Sequence, residues 1–435
     1  MRPMPFHLVA GMLAVGVLIA AAVVSTIWGA HLENRSFPSL MPIFAEAKEH
    51  AEGDFTSVGY IEHLKNQGIA LQRHAFQQSD ILPLYGSSEL VKRIPDKSSL
   101  FFQHYPTGFS VFPVGKAGTT PLIVLQKIAA LGNVTQGKRV AISLSPSWFF
   151  TDAPPERPYA GNFSRQQAFS ALLNPQLSFP FKKEFARRLL VHPGTMERDS
   201  LLRFLARRLA RGGRIDRSLY YATWPLARLQ RALYDAQDHF EIGLYVYIHR
   251  HHASPRRRPP KRATELDWDK LIADASSQPV EFRENEKTVA VNLHEIGNDE
   301  TFRGNLATAP GWTDLDLCLR GLHELGVRTL VLCMPPNGTY FERGGVSKES
   351  LDLFAAQIRT IARRSGALVE AFEDHDEDLN FLVDHHDHMS AKGWMYYNRS
   401  LDDFFHTDDA ELDRHFEKGH RKRMHLPTGP TISRR

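Results

Sequence analysis

From Leu8 to Ala30 the sequence LVAGMLAVGVLIAAAVVSTIWGA runs for 23 residues without a charge. A hydrocarbon core is about 30 Å thick, so a crossing helix needs ~20 apolar residues at about 1.5 Å of rise each. Inside lipid, every backbone N–H and C=O must find a partner within the segment, which leaves a helix as the only form for one such run. The run is longer than the ~7–15 apolar residues of a cleaved signal peptide, so residues 1–30 are expected to form a retained transmembrane anchor. Arg2 and the amino terminus precede it, Glu33 and Arg35 nearly cancel after it, and so short a tail favours remaining inside. The expected arrangement is a single-pass anchor in the cytoplasmic membrane with the body of the chain outside.

The remainder has a globular composition, 42% hydrophobic and 23% charged over 435 residues. A net charge of +4 gives no coherent basic face, which argues against nucleic acid as a partner. The only cysteines, Cys318 and Cys333, fall in a helical and a strand pattern and are expected as buried free thiols; a metal site would need further ligands. Residues 31–75 alternate helical patterns with breaks and suggest a helical stalk beside the membrane. Short apolar runs at Ile81–Tyr85, 108–115, 138–146 and in RTLVLCMP alternate with helical patterns, which predicts an α/β fold with a parallel sheet covered on both faces. Residues 163–262 interrupt that rhythm with arginine-rich helical patterns and the basic loop HRHHASPRRRPPKR, expected to form a helical insertion. Its basic surfaces suit solvent, anionic headgroups or an anionic polymer. The catalytic body is bounded at 76–410, and 411–435 are expected as a disordered basic tail.

Two short stretches carry the chemistry. ILPLYGSSEL ends an apolar run at Gly86, followed by Ser87, Ser88 and Glu89 at a turn. A hydroxyl beyond the carboxyl end of a strand can act as a nucleophile if a base lies within reach, and the following helix start offers N–H groups to an oxyanion. Serine is equally a common helix N-cap, so this stretch alone leaves both readings open. FLVDHHDHMSAKGW then packs Asp384, His385, His386, Asp387 and His388 into consecutive positions ahead of a helix. A histidine beside carboxylates suits a Ser-His-Asp system. A metal cluster is the competing reading, weakened because neighbours on an extended segment point to opposite sides.

YGSSEL resembles the first block of the SGNH (GDSL-like) hydrolase superfamily, and HMSAKG its closing block. More narrowly, GSSEL, FPVGKAGTTPL, GKRVAISLSPSWFF, NFSRQQAFSALLNPQLS, MPPNGTYFERGG and DHMSAKGWMYYN resemble, in order, segments of the DltD family, the D-alanyl transfer proteins of teichoic acid D-alanylation. The resemblance implies an SGNH-like three-layer α/β domain outside the membrane, acting without a cofactor or metal. Its implied partners are an anionic envelope polymer of the lipoteichoic acid kind, an integral-membrane acyltransferase and a D-alanyl carrier system. It aligns Ser88 with the nucleophile, with Ser87 as the alternative, and His388 with the base. Asp384 is the implied orienting acid, with Asp387 the alternative. The family's closing motif usually sets the aspartate three residues before the histidine, where His385 stands here. Gly118 matches an oxyanion-site glycine, and Ser147 stands where a longer amide side chain is usual. A D-alanyl transferase, an esterase or thioesterase of the same fold, and a non-catalytic partner that presents the polymer are the functions to be separated.

Overall fold

Five strands, each a short and nearly continuous apolar run, lie side by side among the described residues: β1 Ile81–Gly86, β2 Ser110–Gly115, β3 Arg139–Leu144, β4 Arg328–Cys333 and β5 Leu368–Glu370. All pair in parallel, in the order β2-β1-β3-β4-β5. The computed structural model describes residues 6–45, 68–90, 94, 96–249, 266–280, 297–378, 380–384, 388–414 and 416. Proline is unusual in a central strand because it cannot donate to the ladder. Pro83 is tolerated because β1 begins to pair with β3 only after it, at Leu84↔Ala141.

The helices that matter below are α1 Phe6–Ala45, α2 Ile69–Gln77, α3 Ser98–His104, α4 Pro121–Ala129, α5 Arg165–Leu173, α6 Phe179–Leu190 and α7 Ser200–Arg211. They continue with α8 Arg214–Ala222, α9 Trp224–His249, α10 Trp268–Ser276, α11 Pro310–Glu324, α12 Lys348–Arg364 and α13 Ala391–His406. Alternate strand residues feed two cores, as a pleat requires. Tyr85, Val114, Ile142 and Val331 join α2, α4–α9, α11 and α12 on one face. Leu84, Val111, Ala141 and Leu332 join α3, α10 and α13 on the other. The result is three layers, helix on sheet on helix. Both cysteines are buried and free, with burial pushing their thiol pKa values far up.

Two boundaries differ from the sequence reading. Helix α1 contains the apolar stretch Leu13–Leu32, long and apolar enough to cross a membrane, and continues unbroken to Ala45. Part of the expected stalk, 46–67, lies outside the described residues, but its end, α2, buries Ile69, Leu71, Ala75 and Phe76 in the first core and belongs to the body. The helices of the arginine-rich stretch pack directly onto the sheet. Phe169, Phe185, Leu205 and Tyr220 share one apolar cluster with the sheet, because each helix turns its hydrophobic stripe inward onto it. At the other end, residues 409–414 are helical and bury Leu412, and Phe416 is also buried, so the body extends beyond 410. Residues 417–435 and the basic loop 250–262 lie outside the described residues.

Candidate active site

In open parallel sheets, ligands bind beyond the carboxyl ends of the strands where the order of connection reverses. Here the chain steps from β1 outward to β2, then back across to β3, so the reversal lies beside β1. The loops after β1, β2 and β3 carry Ser87–Glu89, Gly118 and Ser147 respectively.

After β1 the chain turns directly into a 3-10 turn, Ser88–Leu90. Gly86 and Gly115 stand opposite each other at the ends of β1 and β2, and a side chain on Gly115 would collide with the Gly86 carbonyl oxygen. That contact brings the two loops together. The buried Glu89 folds back so that its Oε1 accepts the Ser87 N–H at 2.8 Å. Burial raises the Glu89 carboxyl pKa, and the Ser87 hydrogen bond opposes that shift only in part. Ser88, half-buried, is thereby held at the mouth of the turn.

The base arrives from the far end of the chain. Leu382 and Met389 form an antiparallel bridge, and the Val383 N–H donates to the His388 carbonyl at 2.9 Å. The antiparallel pairing of these flanking residues explains why a four-residue spacing still works. Asp384 Oδ1 accepts the His388 backbone N–H at 3.0 Å, while Oδ2 is hydrogen-bonded to the His388 ring at Nδ1. The opposite ring nitrogen, Nε2, lies 2.9 Å from Ser88 Oγ. Ser390 caps α13 by accepting the Gly393 N–H, which fixes where this segment joins the helix. Ser88, His388 and Asp384 are thus brought together across 300 positions of sequence, with the histidine 9% exposed. Asp387, the alternative acid, lies outside the described residues.

The expected oxyanion groups are arranged differently. The Gly118 N–H points at Ser87 Oγ, 3.0 Å away, instead of standing free. Gly118 sits at φ +81°, a conformation that favours glycine, and a side chain there would press on Pro158 at 2.9 Å. Ser147 Oγ pairs with Ser145 Oγ at 2.7 Å, turning its hydroxyl toward its own loop. Ser87 Oγ thus meets the Gly118 amide, whereas the histidine contact belongs to Ser88.

Two contributors had no sequence signal that distinguished them. Glu89 reads as an ordinary helix-start acid until its burial is seen. Asn162 is fully buried, donating to Ala117 O and Pro158 O at 3.0 Å each and accepting from Thr119 Oγ1 at 3.1 Å, and so clamps the turn that presents Gly118. Both lie in segments that carry the family resemblance, GSSEL and NFSRQQ. A buried polar side chain, however, looks like an exposed one in sequence.

Among known proteins, the chain is 25% identical over 355 residues to Protein DltD of Bacillus subtilis (strain 168), covering 78% of this chain and 86% of that one. It is 24% identical over 364 residues to Protein DltD of Lacticaseibacillus rhamnosus, covering 80% and 81%. Protein DltD of Staphylococcus aureus is 21% identical over 349 residues, covering 77% and 83%. The family model described as DltD protein matches residues 60–406, which take in the sheet, Ser88 and His388. This chain belongs to the DltD family.

Proposed function

We propose that the chain is a membrane-anchored acyltransferase that moves D-alanine onto an anionic polymer of the cell envelope, with its catalytic body outside the cytoplasmic membrane. The observation that carries this reading is the 2.9 Å approach of His388 Nε2 to Ser88 Oγ, with Asp384 on the other ring nitrogen. A serine hydroxyl needs a neighbouring base to attack a carbonyl, and the base needs a fixed tautomer. Both requirements are met by side chains from opposite ends of the fold.

In the first half-reaction His388 Nε2 takes the Ser88 proton as Oγ attacks the D-alanyl carbonyl carbon of an activated ester or thioester. Asp384 holds the Nδ1 proton and stabilises the imidazolium. His388 returns its proton to the leaving thiol or alcohol, leaving D-alanine esterified to Ser88. In the second half-reaction His388 deprotonates a polymer hydroxyl, which attacks that ester; the proton then restores Ser88. Water in place of the polymer hydroxyl would make the protein an esterase. The arginine-rich helices favour a polyanionic acceptor, since guanidinium pairs with phosphate through two parallel bonds. Arg203, Arg207, Arg208 and Arg211 line one such surface groove on α7, of about 220 Å³.

Replacing Ser88 by alanine in cells should abolish D-alanine esters on the polymer while leaving protein level and membrane location unchanged. Ester content at the wild-type level in that variant would end the proposal. Purified protein given a D-alanyl thioester and a glycerol-phosphate polymer separates transfer from hydrolysis by where the D-alanine appears.

A further inference from the structure

We propose that the Ser87 hydroxyl, held by the Gly118 amide, is a direct hydrogen-bond donor to the oxyanion that forms at Ser88. This assignment rests on the acyl-transfer reading above and adds a residue to its machinery.

Acyl transfer leaves a negative oxygen beside the attacking serine, and a site for it needs donors aimed there in advance. The backbone supplies few. The Ser87 N–H is taken by Glu89 Oε1 at 2.8 Å, the Leu90 N–H by the Ser87 carbonyl at 3.3 Å, and the Gly118 N–H by Ser87 Oγ at 3.0 Å. The Ser147 hydroxyl, the side chain expected to assist, is paired with Ser145. The Ser88 N–H has no acceptor among the described residues.

A hydroxyl has one hydrogen to give and two lone pairs to receive. Ser87 Oγ receives from Gly118, and no described residue accepts its hydrogen. Accepting an N–H polarises a hydroxyl and strengthens what it donates. The Ser87 side chain is buried, at 3% exposure, so bulk water does not compete for that hydrogen, and it is the immediate neighbour of Ser88. Gly118 is then a positioning residue: its left-handed turn, clamped by Asn162, aims an amide at Ser87, and Ser87 delivers the donation. The rival arrangement has Ser87 merely occupying Gly118 in the empty site, with the amide released to the oxyanion during reaction. The two arrangements make opposite predictions for removal of the hydroxyl.

The test is the rate at which a fluorophosphonate phosphonylates Ser88 in the full chain in detergent micelles. Ser87→Ala is expected to slow labelling roughly 100-fold, in the range of losing one oxyanion donor, with an unchanged melting temperature. Turnover of a D-alanyl thioester should lose kcat by a similar factor with KM unchanged. The pair Ser87→Thr and Ser87→Val holds side-chain shape constant, and only the hydroxyl-bearing member should stay within about tenfold of the wild-type rate. Labelling of Ser87→Ala as fast as wild type, or faster, overturns the assignment in favour of a freed Gly118 amide; so does equal loss in the Thr and Val variants. A wild-type protein that is not labelled at Ser88 removes the acyl-transfer reading itself, and this assignment with it.

Discussion

The carboxyl edge of the sheet and the helices α7–α9 are built to opposite standards. At the sheet edge the buried polar groups are tied in named pairs: Ser88 with His388, His388 with Asp384, Ser87 with Gly118 and Glu89, and Asn162 with Ala117, Thr119 and Pro158. On α9, Leu226, Leu229, Leu233, Phe240, Leu244 and Tyr247 are each between 42% and 59% exposed. At about 100° per residue those six fall within an arc of about 60°, a stripe one helix wide. The same helix buries Ala227 and Ile242 on its other side. The difference teaches that hydrogen bonding fixes one region from within the chain, whereas only the inner face of the other is fixed. Tolerance to substitution should divide along the same line.

The largest effect should come from the sheet edge. Ser88→Ala or His388→Ala is expected to lower turnover of a D-alanyl thioester about 10⁴-fold or more, and Asp384→Asn by a similar factor through the wrong histidine tautomer. Denaturant unfolding of Ser88→Ala should stay within about 1 kcal/mol of wild type, which separates lost chemistry from lost fold. Retained turnover in either the Ser88 or the His388 variant would break the contrast at its stronger end.

Within the helical region, Phe185→Ala on α6 should cost about 3–5 kcal/mol, because that ring is fully buried in the core shared with the sheet. A loss below about 1 kcal/mol would mean that the helices form a loosely attached unit after all. The measurement is a urea midpoint at constant slope.

Between the two regions lies Lys127 on α4, fully buried, its pKa pushed down to about 7 by burial and secondarily by the Lys116 charge. Its ordinary value near 10.5 applies to the unfolded chain, so between pH 7 and pH 10.5 the unfolded state binds the extra proton. Stability should therefore rise with pH through that window, by at most about 1.4 kcal/mol per pH unit from this group. Lys127→Met should flatten the slope, as read by urea unfolding at several pH values. An unchanged slope would sink the assignment.

The smallest effect is expected on the exposed stripe. Leu229→Asp and Leu233→Asp should shift stability by no more than about 0.5 kcal/mol, since these side chains are 59% and 57% exposed. A loss of several kcal/mol in the isolated chain would show that the stripe is covered in solution.

Much of the architecture was legible because it is written in local pattern. The apolar runs of β1 to β4, the helices between them and the uncharged amino-terminal stretch each announce themselves within 6 to 23 residues. The boundaries were not, since whether α2 or Leu412 joins a core depends on what packs against them. At the candidate site, Ser88 and His388 could be named from GSSEL and HMSAKG, and the structure sets them in contact. The four-residue reach of Asp384 needed the pairing of Leu382 with Met389 to make sense. The partnership of Gly118 with Ser87, and of Asn162 with the loop it clamps, had no trace in spacing, because each joins loops from different strands.

By itself the sequence determined the apolar span, the alternation that yields a parallel sheet, and the residue types able to move a proton, since all of these follow from periodicity and side-chain chemistry along a few turns. The tertiary structure alone decided which hydroxyl meets the imidazole, which carboxylate reaches its other nitrogen and which amide is already engaged. Those choices are made by hydrogen bonds of about 3 Å between segments up to 300 residues apart. At that range a shift of one ångström separates contact from none, and no local pattern in the chain encodes it.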